Sequence, residues 1–227
     1  MTIPFYVPPE QVMKDRAEYA RKGIAKGRSI ATVEYAGGIL LLAENPSGAL
    51  HKIGEIYDRI AFAGVGKYNE FEALRVAGIR LADIKGYTYG RNDVTAKGLA
   101  NAYSQSLGAM FTEQLKPYEI EILVIELGET DEDNRMFEIG YDGTLEDKRR
   151  FCAIGGKEEE LLKALGERYR PGMTLAEAVR MSCEVFEMVE KRAIPVEGWE
   201  AAVLDRSNGR RSFRRLAGDE LRQLREG

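Results

Sequence analysis

The chain has 227 residues, 44% of them hydrophobic and 31% charged, with a formal net charge of −4, which excludes disorder, collagen and a disulfide scaffold. Only two cysteines, Cys152 and Cys183, occur in this length, a usage that suits a reducing compartment. No apolar run approaches the roughly 20 residues of a membrane helix and Met1 to Gln11 lacks a signal-peptide pattern, so the cytoplasm is expected.

Pro8-Pro9 followed by Glu10 reads as a rigid start to a helix over Pro9 to Gly23, with Met13, Ala17, Ala20 and Ile24 at helical spacing. Ser29 to Glu44 predicts two strands around the Gly37-Gly38 turn. Asn45-Pro46-Ser47-Gly48 is a turn, and Ile53 to Ala63 adds further strand. Gly64-Val65-Gly66 is expected to open a second helix, with Phe71, Leu74, Gly78 and Leu81 on one face. Asn92-Asp93 is expected to cap a third helix, whose stripe is Leu99, Tyr103, Leu107, Met110, Phe111 and Leu115. Lys116-Pro117-Tyr118 ends it. Glu119 to Leu127 alternates as a strand, and Met136 to Tyr141 and Arg150 to Ile154 supply shorter ones. Gly155-Gly156 precedes a helix carrying Leu161, Leu162, Leu165 and Tyr169. Thr174 with Glu177 forms a capping box for the next, striped by Leu175, Val179, Cys183, Phe186 and Val189. A closing hairpin, Ala201 to Asp205 and Ser212 to Leu216, leads to a short helix from Asp219. This order suits antiparallel sheets sandwiched by helix layers in one domain.

The residues alone supply no catalytic constellation. A dinucleotide loop at Gly64-Val65-Gly66 fails at Asn69, and a P-loop fails at Ala61 and Tyr68. Asp131-Glu132-Asp133 lacks the glycine of a calcium loop at Met136 and reads as a solvated turn. His51 is the only histidine, so His-rich metal sites are excluded, and a dyad with Ser47 lacks any nucleophile-elbow motif. Cys183 lies on an apolar stripe and is assigned to the core. Lys14 to Arg28 carries +4 and Asp205 to Gly227 carries +3 around an acidic body. Without interleaved aromatics, these ends read as solvated helix faces in preference to a nucleic-acid surface.

Three long runs carry a resemblance: PPEQVMKDRAEYARKGIAKGRSIATVEYAGGILLLAENPS, LHKIGEIYDRIAFAGVGKYNEFEALRVAGIRLADIKGYTYGRNDVTAKGLANAYSQSLGAMFTEQLKPYEIEI and AAVLDRSNGRRSFRRL. They resemble the proteasome alpha-subunit family of the actinobacterial type, almost continuously from Pro8 to about Gly128 and again in the closing hairpin. From Glu129 to Gly198 the match is by element order. The resemblance implies an α+β fold, the four-layer αββα sandwich of N-terminal-nucleophile hydrolases, with a leading helix whose Glu18-Tyr19-Ala20-Arg21 matches the family's EYAR run. In the related beta subunits a threonine at the chain's start is the nucleophile, and its free α-amine is the base. The equivalent position here is about Arg28 or Ser29, mid-chain and not threonine, which implies a non-catalytic subunit without cofactor or metal.

By the same resemblance, residues 1–8 form a gate segment and residues 9–227 a single domain. The gate comprises Thr2, Ile3, Pro4, Phe5, Tyr6, Val7 and Pro8, with Pro9 fixing the turn into the helix. Lys116, Pro117 and Tyr118 resemble the family's RPYG loop at the channel, with Lys for Arg and Glu119 for Gly. Lys52, beside a Gly27-containing loop, is expected to receive the C-terminal carboxylate of an activating ATPase; a local alternative is an ion pair with Glu44 or Glu55. The implied partners are a homo-heptameric alpha ring, the beta subunit, a hexameric AAA ATPase and the unfolded, Pup-tagged proteins that pass the pore. No nucleic acid and no membrane are implied. The competing expectation is a self-assembling peptidase homologue that acts alone.

Overall fold

The computed structural model describes residues 8–226. Pro8 precedes helix α1 (Pro9–Ile24), where Pro9 fills a position whose amide would have no helical partner. Strands β1 (Ile30–Tyr35) and β2 (Gly38–Glu44) form the expected hairpin, with Gly37 at φ 101° in the turn. Strands β3 (Ile53–Tyr57) and β4 (Ile60–Gly66) lead to helices α2 (Tyr68–Thr88) and α3 (Ala96–Glu113). Next come β5 (Ile120–Glu126), β6 (Arg135–Ile139), β7 (Leu145–Lys148) and β8 (Phe151–Ile154). Helices α4 (Glu158–Arg168) and α5 (Leu175–Glu190), strands β9 (Trp199–Asp205) and β10 (Phe213–Arg215) and helix α6 (Gly218–Glu226) complete the order.

The strands make two antiparallel five-stranded sheets, ordered β10-β9-β2-β1-β8 and β3-β4-β5-β6-β7. The alternation read from the sequence sorts residues between two buried layers instead of between core and water. In β1 and β2, Ala31, Val33, Leu40 and Leu42 face α4, α5 and α6, while Ile30, Ile39, Leu41 and Ala43 face the other sheet. In β4 and β5, Ile60, Phe62, Ile122 and Val124 face α2 and α3, while Ala61, Ala63, Leu123 and Ile125 face inward. The result is the four-layer αββα sandwich, with α1 packed over β4 and β5 at one end. Both cysteines are free and buried, Cys152 between the sheets and Cys183 on the core-facing side of α5.

Four local expectations are corrected. Ile53 to Ala63 is two strands, turned at Asp58-Arg59, where the Asp58 carbonyl accepts from the Ser212 amide at 3.0 Å. Gly64-Val65-Gly66 ends β4, and α2 starts only at Tyr68 after Gly66 takes φ 120°. Thr95 caps α3, accepting from the Gly98 amide at 3.2 Å, because Arg91–Asp93 is a separate turn of 3-10 helix. Leu115 lies past the end of α3 and is 96% exposed, so the core stripe stops before it. Strand β7 carries a polar Leu-Glu-Asp-Lys sequence at a sheet edge and offers no hydrophobic period to read. The Thr174–Glu177 capping box is present as expected.

Phe62 is fully buried, with its ring centroid 5.2 Å from that of Phe71 and 5.5 Å from that of Tyr103. Replacing it with alanine removes the largest side chain joining β4 to the helix layer. Phe62→Ala is expected to cost about 3–5 kcal/mol, read as a lower midpoint in urea denaturation with an unchanged slope.

Candidate functional site

Ser29 immediately precedes β1 and is buried, at the position that the resemblance aligns with a catalytic nucleophile. Its nitrogen is a peptide amide behind Arg28, and its Oγ accepts from the Lys157 amide at 3.3 Å. A peptide nitrogen has no lone pair free to act as the base that a terminal threonine requires. Gly155 packs on Ser29, where a Cβ would lie 3.1 Å from the Ser29 Cα. The Gly155 amide donates to Glu121 at 3.1 Å.

Glu121, Glu138 and Glu158 converge here, with carboxylate oxygens within 4.8 Å of one another. They are the one group among the described residues with the donor set for a metal ion. Two protein partners already occupy Glu138. Lys148 Nζ lies 3.3 Å from Glu138, and the Cys152 thiol donates to Glu138 at 3.4 Å. Burial, then the neighbouring Glu138 and Glu158 charges, push Glu121 up to about 8. Burial and Glu138 push Glu158 up to about 7. Three carboxylates facing one lysine are therefore accommodated because Glu121 and Glu158 hold protons near neutral pH.

Lys52 stands at the head of β3, where its Nζ donates to the Arg28 carbonyl at 2.7 Å. This places the Lys52 ammonium against the backbone of the residue that follows Gly27. Gly27 has no room for a side chain, because a Cβ would collide with Val65. Lys52 pairs with neither local candidate. Glu44 is held by Arg28 and, at 2.5 Å, by Arg192, while Glu55 is held by Arg211 at 2.5 Å. Burial brings the Lys52 ammonium down to about 8; the Glu200 charge opposes that fall and Arg28 adds to it.

Glu200, on β9, is the residue the sequence reading missed. It accepts from the Lys52 amide at 2.8 Å and the Ile53 amide at 3.2 Å. His51 Nδ1 lies 3.3 Å away on the same carboxylate, while Ser47 Oγ is taken by the Leu50 amide. His51 and Ser47 are thus each engaged elsewhere, in line with the rejection of a dyad.

Lys116, Pro117 and Tyr118 join α3 to β5, with Pro117 buried and Lys116 exposed. Lys116 Nζ meets Glu70 at 2.9 Å and Glu119 at 3.2 Å, and the Glu70 bond holds its pKa above the ordinary lysine range. Glu119, the departure from glycine, also meets Lys67 at 2.6 Å and fills the space beside Gly23 of α1. This cluster ties the α3–β5 connection to the start of α2 and to α1. Pro8 and Pro9 start α1, whereas Thr2, Ile3, Pro4, Phe5, Tyr6 and Val7 lie outside the described residues.

Other singled-out charges are engaged locally. Asp131 pairs with Arg206 at 2.8 Å and Asp133 accepts from Thr130 at 2.8 Å, which makes that loop a braced turn. Arg16 of α1 donates to the Phe111 and Thr112 carbonyls at 2.9 and 3.0 Å, and Arg225 of α6 pairs with Glu187 at 2.8 Å. No described helix is long and apolar enough to cross a membrane.

Two facing antiparallel sheets between helix layers are the architecture of the N-terminal-nucleophile hydrolases. Comparison with known proteins narrows this class. The family described as "Proteasome subunit" matches residues 24–204. The "Proteasome subunit alpha" of Sanguibacter keddieii is 56% identical, with the alignment covering 99% of this chain and 89% of that one. Those of Xylanimonas cellulosilytica and Thermomonospora curvata are 54% and 53% identical, covering 97% and 99% of this chain and 95% and 98% of theirs. The chain belongs to the proteasome subunit family, on its alpha branch.

The carboxylate cluster sets a pH dependence. Because Glu121 and Glu158 hold their protons to higher pH in the folded chain than an ordinary exposed glutamate does, the native state binds more protons through that window. Stability is therefore expected to fall as pH rises from about 5 toward 8, and to level off above. Glu121→Gln removes most of this decline and stabilises the chain by about 1–3 kcal/mol at pH 8.5, measured by urea denaturation across the range.

Proposed function

We propose that this chain is the non-catalytic alpha-ring subunit of a 20S proteasome core. Seven copies form a ring that stacks on a ring of beta subunits, and peptide-bond cleavage belongs to those partners. Residues 1–8 serve as the gate segment and residues 9–227 as one domain. Lys52 and Gly27 receive the C-terminal carboxylate of a hexameric AAA ATPase, which feeds unfolded, tagged proteins into the pore. Lys116, Pro117 and Tyr118 line its mouth. The work needs no cofactor and is placed in the cytoplasm.

The observation that carries this reading is the nitrogen of residue 29. It lies inside a peptide bond, at the strand start where the fold's chemistry requires a free amine. Exposed apolar side chains support assembly. Ile84, Tyr87 and Tyr89 at the end of α2 and Leu115 beside α1 are all solvent-exposed in the single chain. A cation on a strand end beside a side-chain-free loop supports carboxylate docking at Lys52.

Native mass measurement and peptidase assays of this chain, with and without its beta subunit, test the central reading. A two-component particle is expected to cleave peptides and the chain alone is not; peptidase activity of the purified chain by itself would instead establish the self-acting homologue. In the assembled particle, Lys52→Ala is expected to abolish ATPase-stimulated degradation of a folded substrate, and unchanged stimulation would remove the docking role. Deleting residues 2–7 keeps Pro8 to start α1 and is expected to raise unassisted peptide hydrolysis several-fold. An unchanged rate would mean that the segment does not gate.

A further inference from the structure

We propose that Glu200 is the positioning residue of the Lys52 pocket. Its carboxylate fixes the turn that carries Lys52 and supplies the counter-charge that keeps the ammonium available to an incoming carboxylate. The inference rests on the docking reading for Lys52 and adds a residue 148 positions away in the chain.

The argument begins with the cost of Glu200 where it stands. Its side chain is 8% exposed, and a buried carboxylate is tolerated only when donors surround it. Four donors hydrogen-bond to it. The Lys52 amide at 2.8 Å and the Asn45 side-chain amide at 2.7 Å share Oε2. The Ile53 amide at 3.2 Å and Arg215 at 2.8 Å share Oε1, with His51 Nδ1 also 3.3 Å from that oxygen. The same partners reach onward to the Lys52 segment. Asn45 also donates to the Leu50 carbonyl at 2.6 Å, and Arg215 donates to the Ile53 carbonyl at 2.6 Å.

Four backbone atoms between Leu50 and Ile53 are thereby pinned around one carboxylate from the opposite sheet. The Lys52 carbonyl accepts from the Gly64 amide of β4 at 3.1 Å, so the strand ladder holds one side of the Lys52 backbone and Glu200 holds the other. With the turn fixed, Lys52 Nζ reaches the Arg28 carbonyl next to Gly27.

The charges around Lys52 make the electrostatic half of the role specific. Arg28, Arg215 and His51 are the basic groups on the neighbouring elements, and Arg28 has Glu44 as its own partner. Glu44 is also bound by Arg192. Glu200 is the carboxylate whose charge supports Lys52 against burial and Arg28. Losing that charge would both free the turn and favour a neutral amine, which binds no carboxylate.

The test uses the core particle assembled from this chain and its beta subunit, with lysines reductively methylated using a carbon-13 label. The Lys52 signal, identified by its loss in Lys52→Arg, is titrated by NMR. Glu200→Gln is expected to lower the Lys52 titration midpoint by about one pH unit. It is also expected to raise roughly ten-fold the concentration of hexameric ATPase giving half-maximal stimulation, with the deficit growing as pH rises. Glu200→Asp keeps the charge but shortens the reach, so its midpoint stays near wild type while the half-maximal concentration rises. This second variant decides the matter if Glu200→Gln does not assemble. A Lys52 midpoint and a half-maximal concentration both unmoved by loss of the Glu200 carboxylate would overturn the proposal. Unchanged stimulation in Lys52→Ala would overturn the docking reading instead, and the Lys52 titration would still judge Glu200.

Discussion

Strands β1, β2, β4 and β5 must each bury both faces at once, and the remainder of the molecule is arranged around that requirement. Their helix-facing positions carry large side chains such as Leu40, Leu42, Phe62 and Val124, while Ala43, Ala61, Ala63 and Ala202 thin the layer between the sheets. Alanines set among the larger inner side chains Ile30, Ile39, Leu41, Leu123 and Ile125 let two twisted sheets approach while each helix pair still has a surface to grip. The strand centres consequently offer no place for exposed polar chemistry. The polar groups of the candidate site stand at strand ends, where Ser29, Lys52, Glu121 and Glu200 are found.

Those margins show three physical answers to the problem of a carboxylate shielded from water. Glu44 is met by two guanidinium groups, from Arg28 and Arg192. Glu200 gathers backbone amides together with polar and cationic side chains. Glu121 receives one backbone amide and relies on a proton for the rest. The first two solutions create fixed geometry around Lys52. The third leaves a site whose charge follows pH, next to the residue at which the fold elsewhere performs its chemistry. The architecture is thus retained while the groups around residue 29 no longer include a free amine.

Much of the layer order was legible because long stripes and turn residues carry their own signal. The capping box at Thr174, the turn at Gly37-Gly38 and the stripe through Val179, Cys183 and Phe186 are local statements that the structure repeats. Harder to read were features decided by distant contacts. The β3–β4 turn at Asp58 is held by Ser212, and the first amide of α3 donates to Glu126, beyond any local window. Lys52 was identifiable through the family resemblance alone, and its sequence neighbours suggested Glu44 or Glu55 as partners. Glu200 sits in an alternating strand where a single acid reads as an outward-facing residue. Only the pairing of β9 with β2 brings it to the pocket.

The two cysteines have a use that follows from where they are buried. Cys152 lies between the sheets and Cys183 on the core-facing side of a helix, and burial pushes the Cys183 thiol up to about 12. Neither presents a thiolate to solvent while the layers remain closed. Each is therefore an internal chemical clock for a different opening of the molecule. Alkylation at one rate would show the layers parting together, and two rates would show which interface yields first.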